Sequence, residues 1–180
     1  PSLFAVFPGA PPATLLGINK GTSILGTASA TWQYAQRVQL RWPALLVGAL
    51  LALVGSLTGA WVVTLVSPDF LKKILPGVLL LVFAYTLVRK DLGQTHAPRL
   101  QGRAEVLALG LLGLVIGFYD GFFGPGTGSF FVFLLVRWLG YDFMHASASA
   151  KLLNTASNFA ALSLFAWMGH VWWHVVIYTA

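Results

Sequence analysis

The stretch GFYDGFFGPGTGSFF, residues 117–131, decides how this chain has to be read. It sets one aspartate and five glycines in the middle of a strongly apolar run. A backbone in lipid has to satisfy its own N–H and C=O groups, because each one left unpaired costs several kcal/mol. A glycine-rich break is therefore tolerated only inside protein or beside a water-filled cavity. Gly121, Gly124, Gly126 and Gly128, with Pro125, cannot continue a helix in lipid. The N–H groups they free, with a helix starting at Ser129, predict an anion-friendly helix terminus, and Thr127 and Ser129 add hydroxyl donors. Asp120 reads either as a proton or cation carrier or as the counter-ion of a buried lysine. The plainer alternative is a tight turn at the membrane surface with Asp120 hydrated there.

The rest of the chain supports a membrane setting. Of 180 residues, 57% are hydrophobic and 9% charged, with a mean hydropathy of +0.78. A soluble domain carries roughly 25% charged residues. Eleven Lys and Arg against five Asp and Glu would suggest nucleic acid in a soluble protein. In an apolar chain, basic loops that fix topology are the simpler account, so no nucleic-acid partner is expected. With no cysteine, disulfides and thiolate metal sites are excluded. The start at Pro1 and the stop at Ala180 inside an apolar run suggest a core fragment of a longer protein.

Periodicity and breakers predict helices over about 13–35, 43–66, 70–88, 104–119, 129–139 and 143–168, with a last segment after GHVWWH. Gly48, Ala52, Ser56 and Ala60, with Gly55 and Gly59, recur at every fourth position and predict a close-packing face. Arg37 and Arg41, then Arg89, Lys90, Arg99 and Arg103, place the first and third connections in the cytoplasm. Sliding residues 1–42 by 131 positions onto 132–173 superimposes Lys20 on Lys151 without a gap. The fold expected is all-α: a polytopic membrane helix bundle of two inverted structural repeats with glycine-broken helices. The first repeat, with its cytoplasmic linker, takes residues 1–100 and the second takes 101–180.

The two lysines carry the chemistry. A cation at helix depth costs at least about 2.5–3.5 kcal/mol, so it normally faces a cavity or a partner. Lys20, Ser23 and Thr27 share one helix face at i, i+3, i+7; Lys151, Asn154 and Asn158 repeat the spacing. Two such faces meeting would form a pocket for a compact oxyanion. The alternative is that each lysine snorkels to a headgroup. Asp142 reads as a helix cap. His170 and His174 stand at metal-compatible spacing, but without a third ligand they read better as part of an interfacial belt, so no metal is expected. Nothing in the sequence asks for a cofactor.

GFYDGFFGPGTGSFF, ASASAKLLNTASNFAALSLFAWMGHVWW and GAPPATLLGINKGTSILGTASAT together resemble the sulfite exporter TauE/SafE family over essentially all 180 residues. The resemblance implies two similar halves, each with a glycine-rich motif, a proline and a helix of small residues with an Asn/Thr/Lys signature. It also implies movement of small sulfur-containing anions across the cell membrane. Gly124, Gly126 and Gly128 match the second glycine motif. Asn19, Lys20 and Thr22 match the first helix signature, and Ala150, Lys151 and Asn154 the second. The second motif departs from the family pattern in reading GPGTGS, and the first would fall before Pro1.

The expected function is a non-enzymatic, multi-pass inner-membrane transporter or facilitator for a small anion, one repeat rocking against the other. The expected partners are that anion and the bilayer; oligomeric state is not legible. The competing readings are a non-transporting scaffold or sensor, and an intramembrane hydrolase with Ser129 as nucleophile, which would need a base within hydrogen-bond reach.

Overall fold

The computed structural model describes residues 10–67 and 97–179, and between them 69–71, 73, 74, 76–78, 80 and 84. The described residues form helices and no strand: α1 (Pro12–Ala35), α2 (Trp42–Leu65), α3 (Arg103–Phe122), α4 (Thr127–Leu139), α5 (Phe143–Trp167) and α6 (Trp173–Thr179). The residues described between 69 and 84 are also helical. The rest of the expected 70–88 helix and residues 1–9 and 89–96 lie outside the described residues. By length and composition, α2 and α3 can each cross a bilayer.

Local chemistry sets the helix ends. α1 and α2 begin on prolines, Pro12 and Pro43, in the first turn where a missing N–H leaves no bond unmade. α4 closes on Gly140 at φ 75°, whose N–H reaches back to the carbonyls of Leu135 and Val136. α5 opens on Asp142, whose carboxylate accepts the His145 N–H at 2.7 Å, as expected for a cap.

α2 and α3 are locked together by small residues. A Cβ added at Gly113, Gly117 or Gly121 would overlap the carbonyl oxygens of Gly48, Ala52 and Ser56 respectively. From the other side, Gly55 and Gly59 lie against the carbonyls of Leu114 and Phe118. The contacts climb both helices in the same direction, so α2 and α3 run parallel with their backbones in contact. This shortens the interruption expected between the helices at 104–119 and 129–139. Gly117 and Gly121 serve helix packing inside α3, which runs on to Phe122. The chain leaves helical geometry only between Phe122 and Thr127, where Gly124 and Gly126 adopt φ of 84° and 80°. Such angles suit glycine and strain other residues.

After that turn α4 folds back along α3. Leu109 and Leu112 of α3 share a core cluster with Phe131, Leu135 and Leu139 of α4. Past the end of α4, the Gly140 and Leu139 carbonyls accept from the N–H groups of Ala97 and Arg99, just ahead of α3. The two outer ends therefore meet, and α3–α4 is a helical hairpin. Thirteen residues at about 1.5 Å each make α4 roughly 20 Å long, short of a bilayer's ~30 Å hydrocarbon core.

Two apolar clusters fill the interior, and a polar layer separates them. On α5, Ala146, Ala150 and Leu153 belong to one cluster, Ala161 and Phe165 to the other, and Asn154, Ser157 and Asn158 fall between. On α3, Asp120 lies between Leu112 and Phe122; on α2, Ser56 lies between Leu45 and Ala60. The outward faces carry Leu50, Trp61, Leu107 and Leu111, all exposed, as expected of surfaces that meet lipid.

Candidate functional site

The polar layer is organised by an ion pair. The Lys20 ammonium of α1 lies 2.7 Å from Asp120 Oδ1 of α3, with the side chains 1% and 2% exposed. Lys20 Nζ also donates to Asn158 Oδ1 at 3.1 Å. Ser157 Oγ donates to the other carboxylate oxygen, Asp120 Oδ2, at 2.6 Å, and Ser56 Oγ donates to the Ser157 carbonyl at 2.6 Å. Four helices thus meet at one carboxylate and its partners. Burying a charge pair is tolerated when further hydrogen bonds hold its members, as Asn158 and Ser157 do here. Neither the snorkelling lysine nor the interfacial aspartate describes this geometry.

Beside the pair opens a cleft of about 330 Å³ lined by Asn19, Lys20, Ser23, Gly26 and Thr27 of α1, Asp120, Gly124 of the hairpin turn, and Lys151, Asn154 and Asn158 of α5. Both i, i+3, i+7 faces read from the sequence therefore front the same space. α1 and α5 pack antiparallel: Lys20 meets Asn158, while further along α1 the Thr31 hydroxyl lies 3.1 Å from that of Thr155. The Lys151 ammonium, half-buried, has no ion-pair or hydrogen-bond partner among the described residues. Asn154 Oδ1 is buried and has no donor among the described residues.

The other expected residues do different work. Thr27 lines the cleft, but its hydroxyl donates back to the Ser23 carbonyl at 2.9 Å. Thr127 is buried and donates to the Gly124 carbonyl at 2.7 Å, while the Tyr119 hydroxyl donates to the Pro125 carbonyl at 2.7 Å, so both tie the turn. Gly128 faces the Asn154 amide from behind the cleft. Gly126 shapes the turn, and Ser129 is exposed on α4; neither lines the cleft. His174 stacks on Trp172, ring centroids 6.2 Å apart.

Two features were missed from the sequence. Ser157 holds the second carboxylate oxygen, and Gly26 forms wall where its counterpart 131 positions on is Ser157 itself; the spacing of Ser157 from Asn154 was the available signal. The second feature lies at the open end of the hairpin. Arg41 Nη1 bonds Glu105 Oε2 at 2.9 Å, and the buried Tyr141 hydroxyl bonds Glu105 Oε1 at 2.5 Å. Burial, with Glu105 adding to it, pushes the Tyr141 hydroxyl above its ordinary pKa. A larger cavity of about 600 Å³ lies there between Arg41, Pro43, Gly102 and Leu107, with mostly apolar walls.

An all-helical membrane protein with a charged layer between two apolar cores is the class these features define. The chain belongs to the sulfite exporter TauE/SafE family, whose model matches residues 1–180. It is 39% identical over 167 residues to the probable membrane transporter protein ORF9 of Sinorhizobium sp, covering 93% of this chain and 63% of that one. It is 37% identical over 174 residues to the probable membrane transporter protein YfcA of Escherichia coli K12, covering 96% and 63%. A probable membrane transporter protein of Haemophilus influenzae is 34% identical over 168 residues, covering 93% and 65%. The chain thus spans just under two thirds of the length of these relatives. No solved structure matches it.

Proposed function

We propose that this chain forms the substrate-binding core of a multi-pass inner-membrane transporter for a small anion, with sulfur oxyanions as the first candidates. The observation that carries the reading is the Lys151 ammonium, which fronts a polar cleft and has no carboxylate paired with it among the described residues. A half-buried cation next to an already satisfied ion pair is a place for a ligand's negative charge. The relatives named as transporters and the family's name support movement of the anion rather than storage or sensing.

Inverted repeats are part of the same reading. The hairpin contributes no net crossing, so the α1–α2 corner and its counterpart after α5 are separated by an odd number of passes and lie on opposite sides. The glycine turn of the hairpin then serves as the helix break of the second repeat, and Gly124 brings it to Lys20. The basic α1–α2 corner and the start of α3, joined by Arg41 and Glu105, are assigned to the cytoplasm. Asp120 is the group through which a proton would couple, since protonating it would release Lys20.

The test is flux of the full-length protein in proteoliposomes, comparing sulfite, thiosulfate, sulfoacetate and chloride with and without a pH gradient. Uptake of at least one anion should fall by about tenfold or more in Lys151→Gln, the scale of losing a charge-assisted contact. Unchanged uptake of every anion in Lys151→Gln would remove the site.

A further inference from the structure

The cleft can be read for the charge and protonation of its ligand, an inference that rests on the anion reading above. The titratable side chains that line it are Lys20 from α1, Asp120 from α3 and Lys151 from α5. α4 contributes none, and the other lining residues are uncharged. Tyr119, next to Asp120, is turned to the Pro125 carbonyl. Two ammonium groups against one carboxylate leave a formal charge of plus one. The sum is the same whether the shared proton sits on Lys20 or on Asp120. A monoanion brings the cleft to neutrality, whereas a dianion leaves a net negative charge in a polar layer that lies between two apolar clusters, where uncompensated charge is disfavoured.

The second observation is the Asn154 amide oxygen. It is buried, belongs to a residue of the cleft wall, and accepts nothing from the described residues. A buried acceptor without a donor is costly, and a fully deprotonated oxyanion, which offers only acceptors, cannot satisfy it. An oxyanion that keeps one O–H can. Lys151 would receive the charged oxygens and Asn154 the protonated one, three residues apart on one face of α5.

We propose that the cleft selects a singly charged, hydroxyl-bearing oxyanion over the corresponding dianion, so that a divalent oxyanion enters only together with a proton. The charge count and the unpaired amide oxygen reach this from different directions.

Equilibrium binding to the full-length protein in detergent tests it with four probes: selenite, sulfite, sulfate and methanesulfonate. Selenite and sulfite affinity should follow the monoanion fraction as pH is raised. Methanesulfonate, a permanent monoanion, should bind about tenfold or more tightly than sulfate, a permanent dianion of similar size. Asp120→Asn keeps the shape of the side chain and raises the formal charge by one, so it should admit sulfate and abolish the preference. Asn154→Val should weaken hydrogen selenite and leave methanesulfonate unchanged. Wild-type protein that binds sulfate as tightly as methanesulfonate, or Asp120→Asn that fails to gain sulfate while remaining folded, would overturn the proposal. Failure of the wild type to bind any of the four would instead sink the anion reading beneath it.

Discussion

Lys20 and Asp120 sit 100 residues apart in sequence and 2.7 Å apart in space, and together they shape the polar layer. Neither can be removed alone without leaving a buried charge. Lys20→Ala or Asp120→Ala should each cost about 3–5 kcal/mol of stability. A Lys20→Met, Asp120→Leu double variant should recover much of that, because no orphaned charge remains. Thermal unfolding followed by tryptophan fluorescence in detergent provides the cycle. Strict additivity of the two single losses would show that the pair is not coupled.

Lys151 should behave differently. Its ammonium holds no protein partner among the described residues, so Lys151→Gln should leave the unfolding midpoint nearly unchanged while abolishing anion binding. A midpoint drop as large as that of Lys20→Ala would reveal a structural role instead.

The α2–α3 contact predicts a position-dependent glycine series. Gly117→Ala and Gly121→Ala push a methyl into the carbonyls of Ala52 and Ser56 and should destabilise by about 1–3 kcal/mol. Gly26→Ala, in helix with nothing within 4 Å of its added Cβ, should be neutral or stabilising by up to ~1 kcal/mol. Equal effects at all three sites would contradict the close approach.

In the hairpin turn, Gly124→Ala faces a φ of 84° and places a methyl 3.4 Å from the Lys20 ammonium. Backbone strain of about 1–2 kcal/mol is expected. Transport should fall more than stability, because the methyl intrudes on the cleft. Loss of stability with normal transport in the surviving folded fraction would place the turn outside the pathway.

Tyr141 predicts a pH dependence. Its hydroxyl is held above its unfolded pKa of ~10, first by burial and then by Glu105. The stability this contributes is complete below that value and is lost as pH rises beyond it, since unfolding then releases a proton. Alkaline unfolding of the wild type should therefore show a slope that Tyr141→Phe lacks. Tyr141→Phe should also lower stability at neutral pH by about 1–3 kcal/mol, by leaving Glu105 short of a donor.

Much of the cleft was legible because charge is conspicuous in an apolar helix. Lys20 and Lys151 announce themselves, and helical periodicity then selects Ser23, Thr27, Asn154 and Asn158. The helices over 12–35, 42–65 and 143–167 were legible from periodicity and from the residues that bound them, Pro12, Pro43 and Asp142. What stayed hidden depended on tertiary neighbours. Glycine looks alike whether it sits at positive φ in a turn, as Gly124 does, or admits a carbonyl, as Gly121 does. Ser157 is one small polar residue among several in α5, and only Asp120 across the interface distinguishes it. The Arg41–Glu105–Tyr141 cluster joins segments 64 and 36 residues apart, a distance over which no local pattern operates.

The interlocked backbones of α2 and α3 also restrict how the molecule can open. Teeth that engage at three successive helical turns resist sliding, since a shift of one residue drives Cα groups into carbonyls. The expected boundary between repeats runs along that seam, so a simple swing of one half past the other would have to strip the gears. The mobile parts are better sought in α1 and the short return arm α4, turning against a keel that does not bend.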